Sequence, residues 1–476
     1  MNPSRALVAV LLLADAAWTR TARPPAIPVE ARQTAVALRD KALGGTPALA
    51  TVKSLCFEAG PRSAGSRGDK AAVLWALRTM KAAGLDNVHA EPVTVPHWER
   101  GAISGEIVHP WPRVVVLAAL GGSIGTPEEG LEAEVVVVPT LEAVDQLDAA
   151  AVKGKIVFYN LRMERARDGA GYGKTVPIRG DGAVRAAKKG AVAVLIRSVG
   201  TDSNRLPHTG AMHYDETTPK IPAAALSVPD ADLLEAELAS GESVRFRLKL
   251  AARILPDAES ANVVGELRGR ERPDEVVILG AHLDSWDLGL GAIDDGAGCA
   301  IIIETARLIA SLPQKPRRTL RVVLFANEEW GLSGGKNYAK LHEAELGKHV
   351  LAMESDLGTG RIWRLQSHVA PEALATVDEL MELLKPFQLE RGSNEGHGGA
   401  DISPLSAVGC VPELALSQDA SSYFDYHHTA NDTPDKIDAK AMDQNVAVFA
   451  ALAYAVAEMP GDLGRAPEEK TEAKKP

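Results

Sequence analysis

The sequence predicts an α/β fold, a mostly parallel sheet covered by helices on both faces, into which a β-rich module is inserted. Beyond Pro256, short apolar runs alternate with long helical segments, as strands buried on both faces of a parallel sheet do. Between about residues 126 and 252, short strand-like runs dominate instead. The length of 476 residues suits two domains better than one.

The first residues predict an exported chain. Arg5 precedes the apolar run ALVAVLLL, and Ala14-Asp15-Ala16 offers small residues for cleavage, which together indicate a signal peptide over residues 1–16. The alternative, a buried N-terminal helix, is disfavoured by the Pro-rich stretch that follows at once. We therefore expect a linker over residues 17–29 and a secreted or periplasmic location.

The bulk composition excludes some partners. A formal net charge of −11 argues against nucleic acid or an anionic membrane surface as the main partner. No segment after the signal peptide is apolar for long enough to predict a membrane helix. Three cysteines, Cys56, Cys299 and Cys410, are too few for a disulfide framework, and we expect buried small hydrophobic residues.

Residues 30–125 are expected to form the first part of the catalytic domain. Ala- and Leu-rich periodicity predicts helices around Glu30–Ala42 and Lys70–Ala83. Two strand-like stretches follow at His89–Val95 and Arg113–Leu117, separated by Pro and Gly.

Residues 126–252 are expected to form the inserted module. The predicted helix Ala183–Lys189 ends at Gly190. The predicted strands are Ala133–Val138, Ile156–Asn160, Ala191–Ile196 and Val244–Leu250.

Residues 253–460 are expected to complete the catalytic domain, and the charged, Pro-containing residues 461–476 to be a disordered tail. The predicted strands are Glu275–Gly280, Thr319–Ala326 and His349–Met353. The predicted helices are Ala297–Leu312, Gly334–Leu341, Pro371–Leu384 and Met442–Met459.

Imidazole and carboxylate groups follow each of these three strands. His282 follows the first strand, the pair Glu328-Glu329 the second, and Glu354 with Asp356 the third. Because ligands bind outside the carboxyl ends of parallel strands, we expect these groups to share one edge of the sheet. On physical grounds alone, Glu354 and Asp356 are equivalent candidates.

Two loops add further candidates. A Gly-rich turn carries Asp294 and Asp295, whose paired carboxylates favour a cation over a phosphate. A second loop carries His427 and His428 shortly before Asp432. Two imidazoles and three carboxylates, one of them shared, would suffice for two metal ions. Zinc fits this set, manganese or cobalt could replace it, and calcium and magnesium prefer oxygen alone.

Five segments resemble the metal-site signatures of the co-catalytic zinc aminopeptidase family, which also contains glutamate carboxypeptidases. They read HLDSW, GAIDDGAG, NEEWG, MESD and HHTANDT. The resemblance implies a zinc aminopeptidase-like fold and two zinc ions per chain. It implies Asp294 as the shared ligand, His282 and Asp356 as ligands of one ion, and Glu329 and His428 as ligands of the other.

The same resemblance implies further roles. Glu328 would be the general base, and Asp284 would hold the far nitrogen of His282. The peptide bond between Asp294 and Asp295 would be cis. Many members carry a tyrosine oxyanion donor directly before the last metal-binding histidine. Here His427 stands in that place and Tyr426 one residue earlier, so both remain candidates.

Three longer segments resemble the plasma glutamate carboxypeptidase branch of this family. They read PHWERG from residue 96, PHTG from residue 207 and GAHLDSWD from residue 280. The branch implies that the inserted module is a protease-associated domain. It also implies secretion, a homodimer, and unblocked dipeptides as substrates. His208 and Asp401 are weaker, substrate-proximal candidates.

The residues alone already favour a hydrolase. Water between two zinc ions becomes hydroxide near neutral pH, and a carboxylate that binds no metal can take and return the proton. One alternative is a single-zinc enzyme that cyclises N-terminal glutamine, but the intact shared carboxylate disfavours it. The other is an inactive, receptor-like scaffold, which predicts missing ligands, and none is missing.

Overall fold

The computed structural model describes residues 26–467. The predicted signal peptide, residues 17–25 of the predicted linker and residues 468–476 of the predicted tail lie outside this range. The α-helices of the described chain are α1 (Val29–Leu43), α2 (Ala48–Ala59), α3 (Arg67–Ala82), α4 (Ala143–Gln146), α5 (Ala149–Val152), α6 (Ala170–Thr175), α7 (Pro177–Lys188), α8 (Val228–Ala239), α9 (Ala297–Ala310), α10 (Ser333–Leu341), α11 (Leu374–Leu383), α12 (Ser403–Gly409) and α13 (Ala439–Glu458).

The described strands form two eight-stranded sheets. They are β1 (Asp86–Glu99), β2 (Ile103–His109), β3 (Arg113–Val115), β4 (Leu117–Ala119), β5 (Leu131–Val138), β6 (Ile156–Tyr159), β7 (Ala193–Arg197), β8 (Ala223–Leu226), β9 (Arg245–Leu250), β10 (Arg253–Leu267), β11 (Arg272–His282), β12 (Arg318–Phe325), β13 (His349–Glu354), β14 (Ile362–His368), β15 (Glu390–Arg391) and β16 (Glu413–Gln418).

The first sheet has the order β1-β10-β12-β11-β13-β16-β14-β15. Its central strands β12, β11, β13 and β16 are mutually parallel, while β1 and β10 extend one side with antiparallel pairing. The α/β fold class is therefore confirmed. Because β11 pairs with β12 and β13 in parallel, the carboxyl ends of all three meet at one edge.

Helices bury both faces of this sheet. On one face, α9 and α13 pack into the largest apolar core, and nearly every residue of α9 is buried. Its apolar run from Ala297 to Ile303 suits such an interior. On the other face, Tyr338 of α10 and Leu405 of α12 pack on Ile278 and Phe325 of the central strands.

The second sheet has the order β3-β2-β9-β5-β6-β7-β8-β4. The sequence places the start of the inserted module at residue 126, but β2, β3 and β4 already belong to this sheet. They join it because β2 pairs with β9 from Ile103↔Leu250 onward, β3 pairs with β2, and β4 pairs with β8. We call residues 103–250 the second module and the remaining described residues the first module. The antiparallel ladder of β1 with β10 connects the two modules.

The first residues of the predicted disordered tail are packed in the structure. Leu463 is fully buried, and the Arg465 guanidinium donates hydrogen bonds to the backbone carbonyls of Leu346 and His349. An apolar side chain and a guanidinium with buried acceptors explain why residues 461–467 dock instead of fraying.

Two further expectations concern cysteines and membrane helices. Cys56 and Cys299 are buried as expected, whereas Cys410 is partly exposed at the end of α12. Among residues 26–467, none of the helices combines the length and the apolar character needed to span a bilayer.

Candidate metal centre

The strand-end side chains meet at one edge of the first sheet, as the sequence predicts. His282 is the last residue of β11, and Asp356 lies just beyond β13. The Nε2 atom of His282 is 3.3 Å from Asp356 Oδ1 and 3.1 Å from Asp294 Oδ1. These three residues form one half of a polar cluster, which we call the His282 half.

The other half lies around His428. Its Nε2 atom is 2.8 Å from Glu329 Oε2 and 3.1 Å from Asp294 Oδ2. Asp294 thus offers one carboxylate oxygen to each half. We call Glu329, His428 and this oxygen the His428 half.

Local backbone contacts place Asp294 between the halves. The peptide bond between Asp294 and Asp295 is cis. The Asp432 carboxylate accepts hydrogen bonds from the amides of Ile293, at 2.6 Å, and Asp294, at 3.3 Å. The Asp295 carboxylate accepts from the amides of His282 and Gly298. These contacts hold the turn against the end of β11.

The donor atoms fit a pair of metal ions. Three groups of residues bring ligand atoms within 4.8 Å of one another. Among the described residues, Asp294 Oδ2 and Glu329 Oε1 are buried without a hydrogen-bond partner. A buried carboxylate oxygen is stable only when it is paired, protonated or bound to a cation. The three groups of ligand atoms named above come from Asp294 with His427 and His428, from His282 with Asp295 and Asp356, and from His282 with Asp294 and Glu329.

The structure separates Asp356 from its competitor Glu354. Both oxygens of the Glu354 carboxylate accept backbone amides, from Asp401 at 3.4 Å and from Ile402 at 3.1 Å. Glu354 therefore fastens the loop before α12, while Asp356 reaches the imidazole of His282. The geometry favours Asp356 as the ligand.

Asp284 lies beside the far nitrogen of His282 and contacts its neighbours through both its side chain and its backbone. Its carboxylate oxygen Oδ1 is 3.6 Å from Nδ1 of His282, but its backbone carbonyl oxygen is nearer, at 3.1 Å. The carboxylate instead accepts the amides of Glu328, at 3.0 Å, and Glu329, at 3.4 Å. The backbone of Asp284 holds the far nitrogen of His282, and its side chain holds the paired acids.

The electrostatics distinguish Glu328 from Asp294. Burial raises the pKa of Glu328 well above its ordinary value, and the Asp356 carboxylate acts in the same direction. Burial alone would also raise the pKa of Asp294, but the adjacent imidazoles of His282 and His428 lower it well below its ordinary value. Glu328 is thus poised to hold a proton, and Asp294 to stay ionised.

His427 lies beside the cluster. Its ring stacks on His428 with centroids 3.5 Å apart, and its Nε2 atom is 3.6 Å from Asp294 Oδ2. Burial lowers the pKa of His427 well below its ordinary value, and the charge of His428 adds to this effect. Tyr426 is partly buried in a neighbouring apolar cluster with Tyr423.

The two weaker candidates are buried at different places. The His208 imidazole binds the Asp202 carboxylate at 2.8 Å inside the second module. The Asp401 side chain is fully buried, and within residues 26–467 its two oxygens have no hydrogen-bond partner. The structure therefore gives the imidazole of His208 a partner other than the cluster.

Sequence reasoning missed Trp286, Thr209 and Arg179. Trp286 Nε1 donates a hydrogen bond to Glu329 Oε2 at 2.6 Å. The Thr209 carbonyl oxygen is 3.2 Å from Nδ1 of His428, and an Arg179 guanidinium nitrogen is 3.4 Å from the same atom. Trp286 stands in the HLDSW segment and Thr209 in the PHTG segment, so both lie in segments on which the family resemblance rests.

Comparisons with known proteins agree with this geometry. The model of "Peptidase family M28" matches residues 262–453. Carboxypeptidase Q of Mus musculus is 41% identical over 406 residues, which cover 85% of this chain and 84% of that protein. Carboxypeptidase Q of Homo sapiens is 40% identical with the same coverage.

Two solved structures share the fold. The peptidase M28 precursor of Shewanella amazonensis superposes with a TM-score of 0.91 at 48% identity, over 92% of this chain and 99% of that one. A zinc aminopeptidase of Bacillus subtilis superposes with a TM-score of 0.65 at 22% identity, over 88% of this chain and 97% of that one. Both modules therefore superpose on solved structures.

Proposed function

This chain belongs to peptidase family M28, and from that premise we propose that it is a secreted zinc exopeptidase that hydrolyses short unblocked peptides, with dipeptides as its substrate class. The observation that carries the proposal is the position of Asp294, which offers one oxygen within 3.1 Å of His282 and the other within 3.1 Å of His428. A carboxylate shared in this way suits two zinc ions.

The proposed ligands divide into two sets that share Asp294. His282 and Asp356 would hold one ion, and Glu329 and His428 the other. Zinc accepts imidazole nitrogen and carboxylate oxygen. When bound, the ions lower the pKa of water and polarise a carbonyl group.

Glu328 is the proposed general base. The neighbouring carboxylate of Glu329 is already engaged by Trp286 and His428, while the backbone amide of Glu328 is anchored on Asp284. A carboxylate oxygen of Glu328 would take the proton from the attacking water and deliver it to the departing amine nitrogen. Its raised pKa favours the first of these steps, in which Glu328 takes the proton.

His427 and Tyr426 are the proposed candidates for donating to the developing oxyanion. The Nε2 atom of His427 is 3.6 Å from the shared carboxylate, whereas Tyr426 packs in the apolar cluster with Tyr423, which supports His427 over Tyr426. Asp401 and His208 remain proposed substrate-proximal residues. The second module is proposed to be a protease-associated domain.

The substitution Glu328→Gln tests the proposal. It should lower kcat by roughly 10²–10⁴ while zinc analysis still finds two ions per chain. The exposed Glu343 gives a matched control, Glu343→Gln, with unchanged kcat. Near-full activity of Glu328→Gln would contradict the assignment of the base.

Substrate class needs a second measurement. Unblocked dipeptides should be hydrolysed faster than N-acetylated or C-amidated versions, and a chelator should abolish hydrolysis. Equal rates on blocked peptides would contradict exopeptidase specificity. One zinc ion per chain with cyclisation of N-terminal glutamine would favour the single-zinc alternative.

Secretion and assembly are also proposed. Removal of residues 1–16 should appear in the N-terminal sequence of exported protein. A homodimer should appear as twice the chain mass in sedimentation equilibrium.

A further inference from the structure

Trp286 fixes one ligand of the His428 half. Its indole nitrogen donates to Glu329 Oε2 at 2.6 Å. Its ring also meets the His428 ring edge-on, with centroids 5.9 Å apart. Because a carboxylate is oriented by the donors that bind it, this hydrogen bond selects the direction of Glu329.

Thr209 of the second module fixes the other ligand. Its amide donates to the carbonyl oxygen of His428 at 3.0 Å, and its own carbonyl oxygen is 3.2 Å from Nδ1 of His428. An imidazole that binds metal through Nε2 carries its proton on Nδ1 and donates it. Thr209 therefore holds both the backbone and the ring of His428.

Both contacts rest on two segments of the second module, residues 119–123 and 208–212, which we call the platform. The segments pair through hydrogen bonds from the Gly121 amide to the Gly210 carbonyl and from the Met212 amide to the Gly121 carbonyl, both at 2.9 Å. Behind them, the Arg179 guanidinium donates to the carbonyl oxygens of Thr209 and Ala211.

Glycine lets the platform approach the ring of Trp286. A Cβ atom at Gly121 would lie 1.8 Å from Cη2 of Trp286. Real contacts of this kind are never so short, so any larger residue at Gly121 must displace the indole or the segment. The platform and Trp286 thus fit together only with glycine at this position.

Within residues 26–467, the hydrogen bonds of His282 involve partners from the first module alone. Nδ1 of His282 binds the backbone carbonyl of Asp284, and the amide of His282 binds Asp295. Both partners belong to the first module.

We infer that the platform is a structural part of the His428 half: it positions Glu329 through Trp286 and His428 through Thr209, so that one of the two zinc ions depends on contact between the modules. The inference rests on the proposed two-zinc function. Trp286, Thr209 and Gly121 are positioning residues, because they act through the ligands.

Zinc binding to the full-length chain tests this inference without measuring activity. Gly121→Ala and Trp286→Phe should each weaken one zinc ion by roughly 10–100-fold, so that a competing chelator leaves one ion per chain. The control is Gly173→Ala in α6, where an added Cβ meets no atom within 4 Å, and it should retain two ions. Thermal unfolding should show that every variant is folded.

Double variants identify the half that is affected. Adding His428→Asn to Gly121→Ala should remove no further zinc, whereas adding His282→Asn should remove the remaining ion. Two ions held at wild-type affinity in both single variants, or equal weakening of both ions, would overturn the inference. A wild-type chain that binds no zinc would instead refute the proposed function, so the two failures are distinguishable.

Discussion

The His282 half and the His428 half contain the same chemistry on different supports. Each has one imidazole within 3.1 Å of an Asp294 oxygen and one carboxylate of its own, Asp356 or Glu329. His282 ends the central strand β11. His428 stands in a loop with a left-handed backbone, at φ 61°, and is held from the second module.

The two imidazoles are therefore held in position in two different ways. The position of a residue at a strand end is fixed by the hydrogen-bonded register of the sheet, which many buried residues stabilise together. A loop residue must be positioned by individual contacts, such as the one from Thr209. We therefore expect the two halves to respond differently to substitution.

The largest effect is expected where the halves join. Asp294→Ala removes the carboxylate that the two halves share, so both zinc ions should be lost or bound much more weakly. Because zinc supplies several kcal/mol of transition-state stabilisation, kcat/KM should fall by at least about 10³-fold. Zinc analysis and dipeptide hydrolysis measure the two effects.

The exposed Asp181 offers a matched control, since Asp181→Ala alters a carboxylate outside the cluster and should leave zinc binding unchanged. Two tightly bound ions in Asp294→Ala would show that the halves do not depend on a shared carboxylate.

A smaller effect is expected from the loop histidines. His428→Asn should remove one zinc ion, because Nε2 of His428 is within 3.1 Å of carboxylates in its half. His427→Asn should retain two ions, because its Nε2 is 3.6 Å from Asp294. Zinc analysis of both variants shows which of the two stacked imidazoles binds the metal, and the reverse result would make His427 the ligand.

The sequence predicted strand-end residues of both halves. Apolar runs located β11, β12 and β13, and the rule that ligands gather at the carboxyl ends of parallel strands brought His282 and Glu329 together. The parallel centre of the sheet confirms this reasoning. The apolar pattern of each strand locates the strand, and the parallel pairing of the strands then brings the residues after them together.

The remaining details depend on contacts between distant residues. Asp356 is distinguished from Glu354 only because the Asp401 and Ile402 amides occupy Glu354. Thr209 and His428 are 219 positions apart, and β2 and β4 join the second sheet through the distant strands β9 and β8. No periodicity or spacing in one sequence encodes such pairings.

A third buried imidazole, that of His349, lies at the amino end of a strand instead of the carboxyl end. His349 begins β13, at the opposite end from Asp356. Its Nδ1 atom donates to the Glu345 carbonyl at 3.0 Å, and its Nε2 accepts from the Tyr338 hydroxyl at 3.1 Å. That hydroxyl itself accepts from Arg321. Both ring nitrogens are therefore satisfied in the neutral form, without a carboxylate.

The smallest prediction concerns the pH dependence of stability. Burial lowers the pKa of His349 to about 3, and the charges of Arg321, His342 and Arg465 act in the same direction. The unfolded chain, whose histidine has a pKa of about 6.5, therefore binds a proton that the folded chain excludes. Stability from this residue is complete above that value and is lost as the pH falls toward 3, by about 2 kcal/mol between pH 7 and pH 5.

Urea unfolding of the metal-free chain at pH 7 and pH 5 measures this loss. His349→Gln should reduce the difference in unfolding free energy between the two pH values by about 2 kcal/mol, while His109→Gln, at an exposed histidine, should leave it unchanged. Metal-free protein is required because protonation of His282 and His428 would otherwise release zinc in the same range. An unchanged difference in His349→Gln would mean that the buried ring accepts a proton in the folded chain, and that burial at the start of a strand does not by itself keep an imidazole neutral.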